Sequence, residues 1–197
     1  QDNEKNKEHH HVLETEYSWT SFWQSEVEFH ISDKEDTPLD WEKLELQNQV
    51  QFFESKFYSA AIYFSYNFVS EGTKADEIEY KFLSEFENNY FNLISNFIFE
   101  KGIGSQSSNS TEFTFSNYLL FSEPLFSDVQ IGAVGFSEFG NISNFKTYHQ
   151  QEHTYGVQFE KEIELNDYEF EIVLGYLQGL TSASSSSSIL WNLEIEF

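Results

Sequence analysis

The residues of this sequence best suited to chemistry are glutamates placed at every second position. In LETEYSW, EVEF, FEKEIEL and LEIEF, a carboxylate alternates with another residue. Because successive side chains of a strand point to opposite faces, this spacing places the carboxylates on one face of a sheet. The predicted interior set is Glu14, Glu16, Glu26, Glu28, Glu45, Glu79, Glu160, Glu162, Glu169, Glu171, Glu194 and Glu196, with Lys43, Lys81 and Lys161 among them.

Carboxylates crowded into a narrow interior repel one another unless cations, water or basic side chains lie between them. An acid-lined pore selects against anions, and this predicts a cation-accepting channel. A small barrel is also often filled by its own side chains, and this predicts a hydrogen-bonded interior without a through path. The sequence leaves both interpretations open.

Histidines offer a second kind of chemistry. His9 and His11 form one pair, and His149 and His153 form another, each beside a glutamate. Imidazole with carboxylate suits zinc, copper or nickel. Neighbouring side chains on a strand point apart, so these residues would share a metal only in a loop conformation. We interpret them as solvated loop histidines and predict no cofactor.

A hydrolase would need a nucleophile, a base and an orienting carboxylate near one rim. His149, Glu152 and the serines of 182–188 could meet there, although a serine tract is more simply a flexible loop. The sequence contains no phosphate-binding glycine loop, no nucleophile elbow and no cysteine-based metal spacing. We predict that the protein is not an enzyme and keep a rim hydrolase as an alternative.

The elements that must position these residues follow a period of two. The alternation divides the chain into about eleven segments of roughly ten residues each. Residues 1–11 form a polar N-terminal segment or loop, and residues 12–197 form one domain. Short connections (TS, ESK, ENN, SEP and ND) alternate with longer polar ones at 33–41, 70–77, 101–110, 139–152 and 178–188.

Composition narrows the class of protein. The 34 acidic residues against 10 basic ones give a formal charge of −24, which excludes nucleic acid as a partner. The 22 Phe, 11 Tyr and 4 Trp favour strands. The chain begins at Gln1, as expected of a mature protein without its signal peptide or of a trimmed fragment.

Alternation alone is compatible with two folds. A soluble sandwich or barrel turns its apolar face inward, whereas an outer-membrane barrel turns that face to lipid and lines its lumen with the polar face. The rhythm of short and long connections favours the membrane barrel. Aromatic residues near the short connections also favour it, because they resemble an interfacial girdle. These residues are Tyr17, Trp19, Phe22, Trp23, Phe52, Phe53, Phe57, Tyr58, Phe86, Tyr90, Phe91, Phe121, Phe126, Tyr168 and Phe170.

The chain ends on SSILWNLEIEF, with apolar residues at Trp191, Leu193, Ile195 and Phe197. This ladder resembles the insertion signal of Gram-negative outer-membrane β-barrels. HHHVLETEYSWTSFWQSEVEF and LGYLQGLTSASSSSSILWNLEIEF are also similar to an uncharacterised group of small proteobacterial barrels. The resemblance implies a location in the cell outer membrane, with lipid and the barrel assembly machinery as partners. It brings no known activity.

The fold we predict is therefore all-β, a transmembrane antiparallel up-and-down β-barrel of ten to twelve strands. A continuous segment through TS would give ten strands. A turn there requires a twelfth, which we favour for the native protein, with the first strand absent or poorly represented in this chain. The predicted function is a porin-like channel or acidic-lumen barrel of unknown solute, and the alternative is a structural barrel that binds an envelope protein.

Overall fold

A computed structural model describes residues 9–33, 40–70, 75–104, 107, 110–126, 128–165 and 168–196 of the chain. These residues form eleven β-strands and a short 3-10 helix at Tyr148–Gln150. No helix in the described ranges is long and apolar enough to cross a membrane. The strands are β1 (His9–Thr20), β2 (Trp23–Asp33), β3 (Asp40–Glu54), β4 (Tyr58–Val69), β5 (Asp76–Glu87), β6 (Phe91–Ile103), β7 (Glu112–Phe121), β8 (Val129–Asn141), β9 (Glu152–Leu165), β10 (Tyr168–Gly179) and β11 (Ser187–Glu196).

The strands form one sheet in which each pairs with its neighbours in sequence, in the order β1 to β11. All ten pairings are antiparallel. The predicted all-β, up-and-down architecture is thereby confirmed. A soluble sandwich would need two packed sheets, and the described strands form only one.

The first two strands are separate, so the ten-strand interpretation is wrong. β1 ends at Thr20 and β2 begins at Trp23, with a tight turn at 21–22 between them. The Thr20 hydroxyl accepts a hydrogen bond from the Phe22 backbone N–H at 3.3 Å. Across the hairpin, the Trp19 indole Nε1–H donates to the Ser25 hydroxyl at 3.0 Å. Because only two residues separate the strands, the alternation of apolar and polar residues continues through the turn. Alternation alone therefore could not reveal that the chain turns here.

The connection between β7 and β8 is longer than the predicted SEP turn and covers 122–128. Pro124 cannot donate a hydrogen bond to a sheet ladder, and Asp128 adopts a left-handed φ of 63°. Leu125 and Val129 close this connection through a backbone bond of 2.7 Å between N and O. The strict alternation of short and long connections therefore fails at this one place.

The sheet curls around a cavity of about 1630 Å³. Glu14 on β1 and Asn192 on β11 both line it, as do Tyr118 and Gln158 from strands between them. Within the described ranges, β1 pairs only with β2 and β11 only with β10, so both outer edges of the sheet are free. The result is a half-barrel with a concave polar face and a convex apolar face.

Candidate functional site

The concave face collects the glutamates that the sequence places at alternate positions. Residues opposite each other in register share a face, and Glu14 is opposite Glu28, which in turn is opposite Glu45. Glu171 is likewise opposite both Glu162 and Glu194. The predicted interior glutamates whose side chains are described all share this face: Glu14, Glu16, Glu26, Glu28, Glu45, Glu79, Glu160, Glu162, Glu169, Glu171 and Glu194. The side chain of Glu196 lies outside the described residues.

The prediction that Lys161 faces the interior is wrong. Lys161 is opposite Val129 and Ile172 in register, so it belongs to the convex face. In FEKEIEL, the lysine takes the apolar position between two inward glutamates, as the alternation itself indicates.

Several inward acids were not predicted from the sequence, among them Glu77 and Glu85 on β5, Glu100 on β6 and Glu138 on β8. Glu100 is opposite Glu79, and the charges of Glu79 and Glu138 act on it. Glu100 follows Asn92 and Asn96 at even spacing, and this pattern could have identified it as inward-facing.

A central cluster of charged and polar side chains lies where β3, β4 and β5 adjoin. It consists of Lys43, Glu45, Tyr63, Glu79 and Lys81. Lys43 Nζ lies 2.8 Å from Glu45 Oε2, and Lys81 Nζ lies 2.9 Å from Glu79 Oε1. The Tyr63 hydroxyl donates to Glu45 Oε1 at 2.5 Å, and the Lys81 ammonium lies 4.0 Å from the centre of the Tyr63 ring. Each buried carboxylate in this cluster thus has a basic partner.

A histidine continues this network toward β2. His30 Nε2 lies 2.6 Å from Glu28 Oε2 and 3.7 Å from Glu45 Oε2. The Gln47 side-chain amide donates to the other oxygen of Glu28. Ligating atoms of Glu28, His30 and Glu45 lie within 4.8 Å of one another, but the Lys43 ammonium already contacts the Glu45 oxygen. The geometry is that of a hydrogen-bonded ion network in which Lys43 supplies the positive charge.

Near the free edges, the balance of acidic and basic side chains differs from that of the central cluster. We call Glu14 on β1, Glu194 on β11 and Glu26 on β2, next to β1, the seam acids, because β1 and β11 border the opening of the half-barrel. Carboxylate oxygens of Glu14, Glu26 and Glu28 lie within 4.8 Å of one another. The strongest charges acting on Glu14 are those of other carboxylates, including Glu194 on the opposite edge. The positive charge of Lys81 acts on Glu26 more weakly than the negative charges of the surrounding glutamates do.

Ser184 and His153, at the rim of the long connections, do not form a pair of nucleophile and base. Ser184 Oγ accepts from the His153 backbone N–H at 2.8 Å and donates to the His153 carbonyl at 3.0 Å. The His153 ring instead lies 2.9 Å from Gln151 Oε1 and stacks on Tyr148 with ring centres 5.3 Å apart. The hydroxyl therefore fixes the main chain, and the imidazole packs as an aromatic ring.

The predicted metal candidates lie apart from the clustered ligands. His153 is buried in β9 and is not a solvated loop residue, whereas His149 is exposed in the short helix. Neither these two nor His11 belongs to a group of three ligating side chains among the described residues. The side chain of His9 lies outside the described residues.

The C-terminal ladder is exposed on the convex face. Trp191, Leu193 and Ile195 all present about half of their surface to the outside. Phe197 lies outside the described residues.

Comparison with known proteins adds no relative: no family model, no curated protein and no solved structure matches this chain.

Proposed function

We propose that the chain is an integral outer-membrane β-barrel whose acid-lined interior accepts cations. One observation carries this proposal, namely the inverted distribution of polar and apolar side chains. On β4, Ser65 and Asn67 on the concave face are both 0% exposed, whereas Ile62 and Phe64 on the convex face are 54% and 39% exposed. Apolar side chains turned outward are costly in water and stable in lipid.

An apolar outer surface runs along the whole sheet. It includes Leu13 on β1, Phe82 on β5, Val157 on β9 and Leu193 on β11. A water-soluble monomer rarely exposes a contiguous apolar patch of more than a few hundred Å². Contact with lipid would explain why this apolar surface lies on the outside of the sheet.

Aromatic rings at the short-connection end support a membrane boundary on that side. Amphipathic rings favour headgroup depth, and several of these rings also pack on one another, as Tyr17 does on Trp19 at 4.8 Å. The exposed rings of the predicted set are Tyr17, Trp19, Phe22, Trp23, Phe52, Phe53, Phe57, Phe86, Tyr90, Phe121 and Phe126.

The interior supports a preference for cations. Carboxylates of Glu14, Glu28, Glu160 and Glu171 line the cavity directly. In a confined space with low-dielectric walls, such a field attracts cations and repels anions. A hydrated metal ion or a small organic cation fits this charge, and the arrangement favours no particular solute.

The test has two stages. The protein is first refolded into detergent and lipid vesicles, where a membrane barrel gives a heat-modifiable gel shift and resists extraction with carbonate. Failure to insert would reject the membrane assignment. The inserted protein is then placed in a planar bilayer under a potassium chloride gradient. The reversal potential is expected to lie closer to the equilibrium potential of potassium than to that of chloride.

Matched variants sharpen the second stage. Combining Glu28→Gln with Glu160→Gln removes two lining charges and should lower the preference for potassium over chloride. Glu123→Gln changes an exposed residue in the 122–128 connection and should leave the preference unchanged. An inserted barrel that conducts no ions would contradict the channel and leave the membrane assignment standing.

The second candidate function is a structural barrel that binds an envelope partner. The free edges of β1 and β11 favour it, because an unpaired strand edge presents backbone N–H and C=O groups to any extended segment. In this case, a stable complex with another chain should form under mild detergent.

A further inference from the structure

The two free edges of the half-barrel run in the same direction. β1 ends at the tight turn 21–22, and β11 starts after the long connection 180–186. Each therefore runs from the long-connection end toward the short-connection end. Consecutive antiparallel strands with an odd total always give this result, so β1 and β11 cannot pair with each other antiparallel. One further strand that runs the opposite way would pair antiparallel with both.

The cavity opens at this place. Asn192 on the concave face of β11 lines it, and so do Trp191 and Leu193 on the convex face of the same strand. A cavity bordered by both faces of one strand extends past the edge of that strand. The seam between β1 and β11 is thus open space, continuous with the interior.

Side chains at the seam define what would fill it. On the concave side, the two edge strands carry Glu14 on β1 and Glu194 on β11, which lie opposite Glu28 and Glu171 in register. On the convex side, the neighbours are apolar, with Leu13 64% exposed and Trp191 57% exposed. A complementary strand would therefore carry basic side chains inward and apolar side chains outward at alternate positions.

We propose that the place of the twelfth strand predicted from the sequence is taken by an extended segment of a partner polypeptide. This segment binds in the seam and alternates lysine or arginine with apolar residues. The segment inserts antiparallel to both β1 and β11 and neutralises the seam acids. A second copy of this chain does not fit, because its free edges carry acids and have the same direction when both copies share one membrane orientation. The outward apolar positions rest on the proposed membrane function, whereas the pairing and the charges do not.

A synthetic peptide tests the proposal. It is as long as β1, 12 residues, and alternates lysine with leucine or valine. Two control peptides replace lysine by glutamate or shuffle the same residues to remove the alternation. Native mass spectrometry in detergent should show one alternating lysine peptide for each folded chain and neither control peptide. Equal binding of the shuffled peptide, or paired copies of the chain without peptide, would overturn the proposal.

Two variants locate the binding. Replacing Glu14 and Glu194 together by glutamine should weaken binding by about tenfold or more, which is a loss of about 1.4 kcal/mol or more. Glu123→Gln should have no effect. The heat-modifiable gel shift is measured first on each variant, so a folding defect is recognised before binding is compared.

Cysteine crosslinking gives an independent position, because the chain contains no cysteine. A peptide with one cysteine should form a disulfide with Asn192→Cys at the seam and not with Tyr118→Cys on β7. Equal reaction at both positions would mean that the peptide only enters the cavity. Vesicle insertion without peptide binding rejects this proposal alone, whereas failure to insert both with and without the peptide rejects the proposed membrane function.

Discussion

The central cluster and the seam acids are built from the same residue type but follow opposite electrostatic rules. In the centre, Glu45 is nearly inaccessible, and it contacts an ammonium and a phenolic hydroxyl within 2.8 Å. At the seam, carboxylate oxygens of Glu26 and Glu28 lie within 4.8 Å of those of Glu14, whose side chain is exposed. The carboxylates of the central cluster are matched by ammonium groups, whereas Glu14 at the seam is surrounded by other carboxylates.

This difference shows that the interior is not uniformly acidic. A buried carboxylate must be paired, because leaving it uncompensated costs several kcal/mol. An exposed carboxylate is tolerated by solvent, so the seam can hold like charges at low cost. The acidity available to a cation or a basic partner therefore includes the seam acids and excludes the matched carboxylates of the central cluster.

The largest expected effect is loss of the central ammonium. Lys43→Met leaves Glu45 buried without its cation, and we expect a loss of about 3 kcal/mol in the free energy of unfolding. Guanidinium titration in detergent micelles measures this loss. Lys161→Met on the convex face is the matched control and should change stability by about 0.5 kcal/mol or less. Equal losses for the two lysines would erase the distinction between centre and surface.

A smaller effect is expected from the phenol of the same cluster. Tyr63→Phe removes the hydroxyl that donates to Glu45 Oε1, and hydrogen bonds to charged groups contribute about 1.5–3 kcal/mol. The same titration should show a loss in this range. Tyr80→Phe removes an exposed hydroxyl from the convex face of the next strand and should have no effect. A Tyr63→Phe protein as stable as the parent would mean that the bond is not formed in solution.

The smallest effect should have the opposite sign. Glu194→Gln removes a like charge near Glu14, and we expect stability to rise by up to about 1 kcal/mol. Sodium chloride should stabilise the parent protein for the same reason, because salt screens the repulsion between exposed carboxylates. The Debye length is about 8 Å at physiological ionic strength. The variant should respond less to salt. A loss of stability in Glu194→Gln would show that the seam carboxylate is matched after all.

Much of the fold could be predicted from the sequence, because alternation fixes which side chains share a face. LETEYSW and EVEF place Glu14 and Glu28 on one face, and the register brings them opposite each other. Alternation does not determine distances across the interior. The contact of His30 with Glu45 depends on the register between β2 and β3, which no single segment encodes.

The errors have local causes. The polarity of Lys161 predicts an interior position, although its place in the alternation is that of an apolar residue. The polar stretch HQQEH predicts a loop for His153, yet Tyr148 stacks on its ring and covers it at the start of β9. Polarity alone did not identify the side of the sheet or the burial that a neighbouring aromatic ring provides.

The strict neighbour order of the sheet has a consequence for folding speed. Every pairing joins strands that are consecutive in the chain, so each hairpin closes a short loop and costs little chain entropy. Growth can proceed hairpin by hairpin, without waiting for distant segments to meet. Only a contact between β1 and β11 would require the two extremes of the chain to find each other. An antiparallel segment between them would replace that slow search with a bimolecular step whose rate depends on concentration.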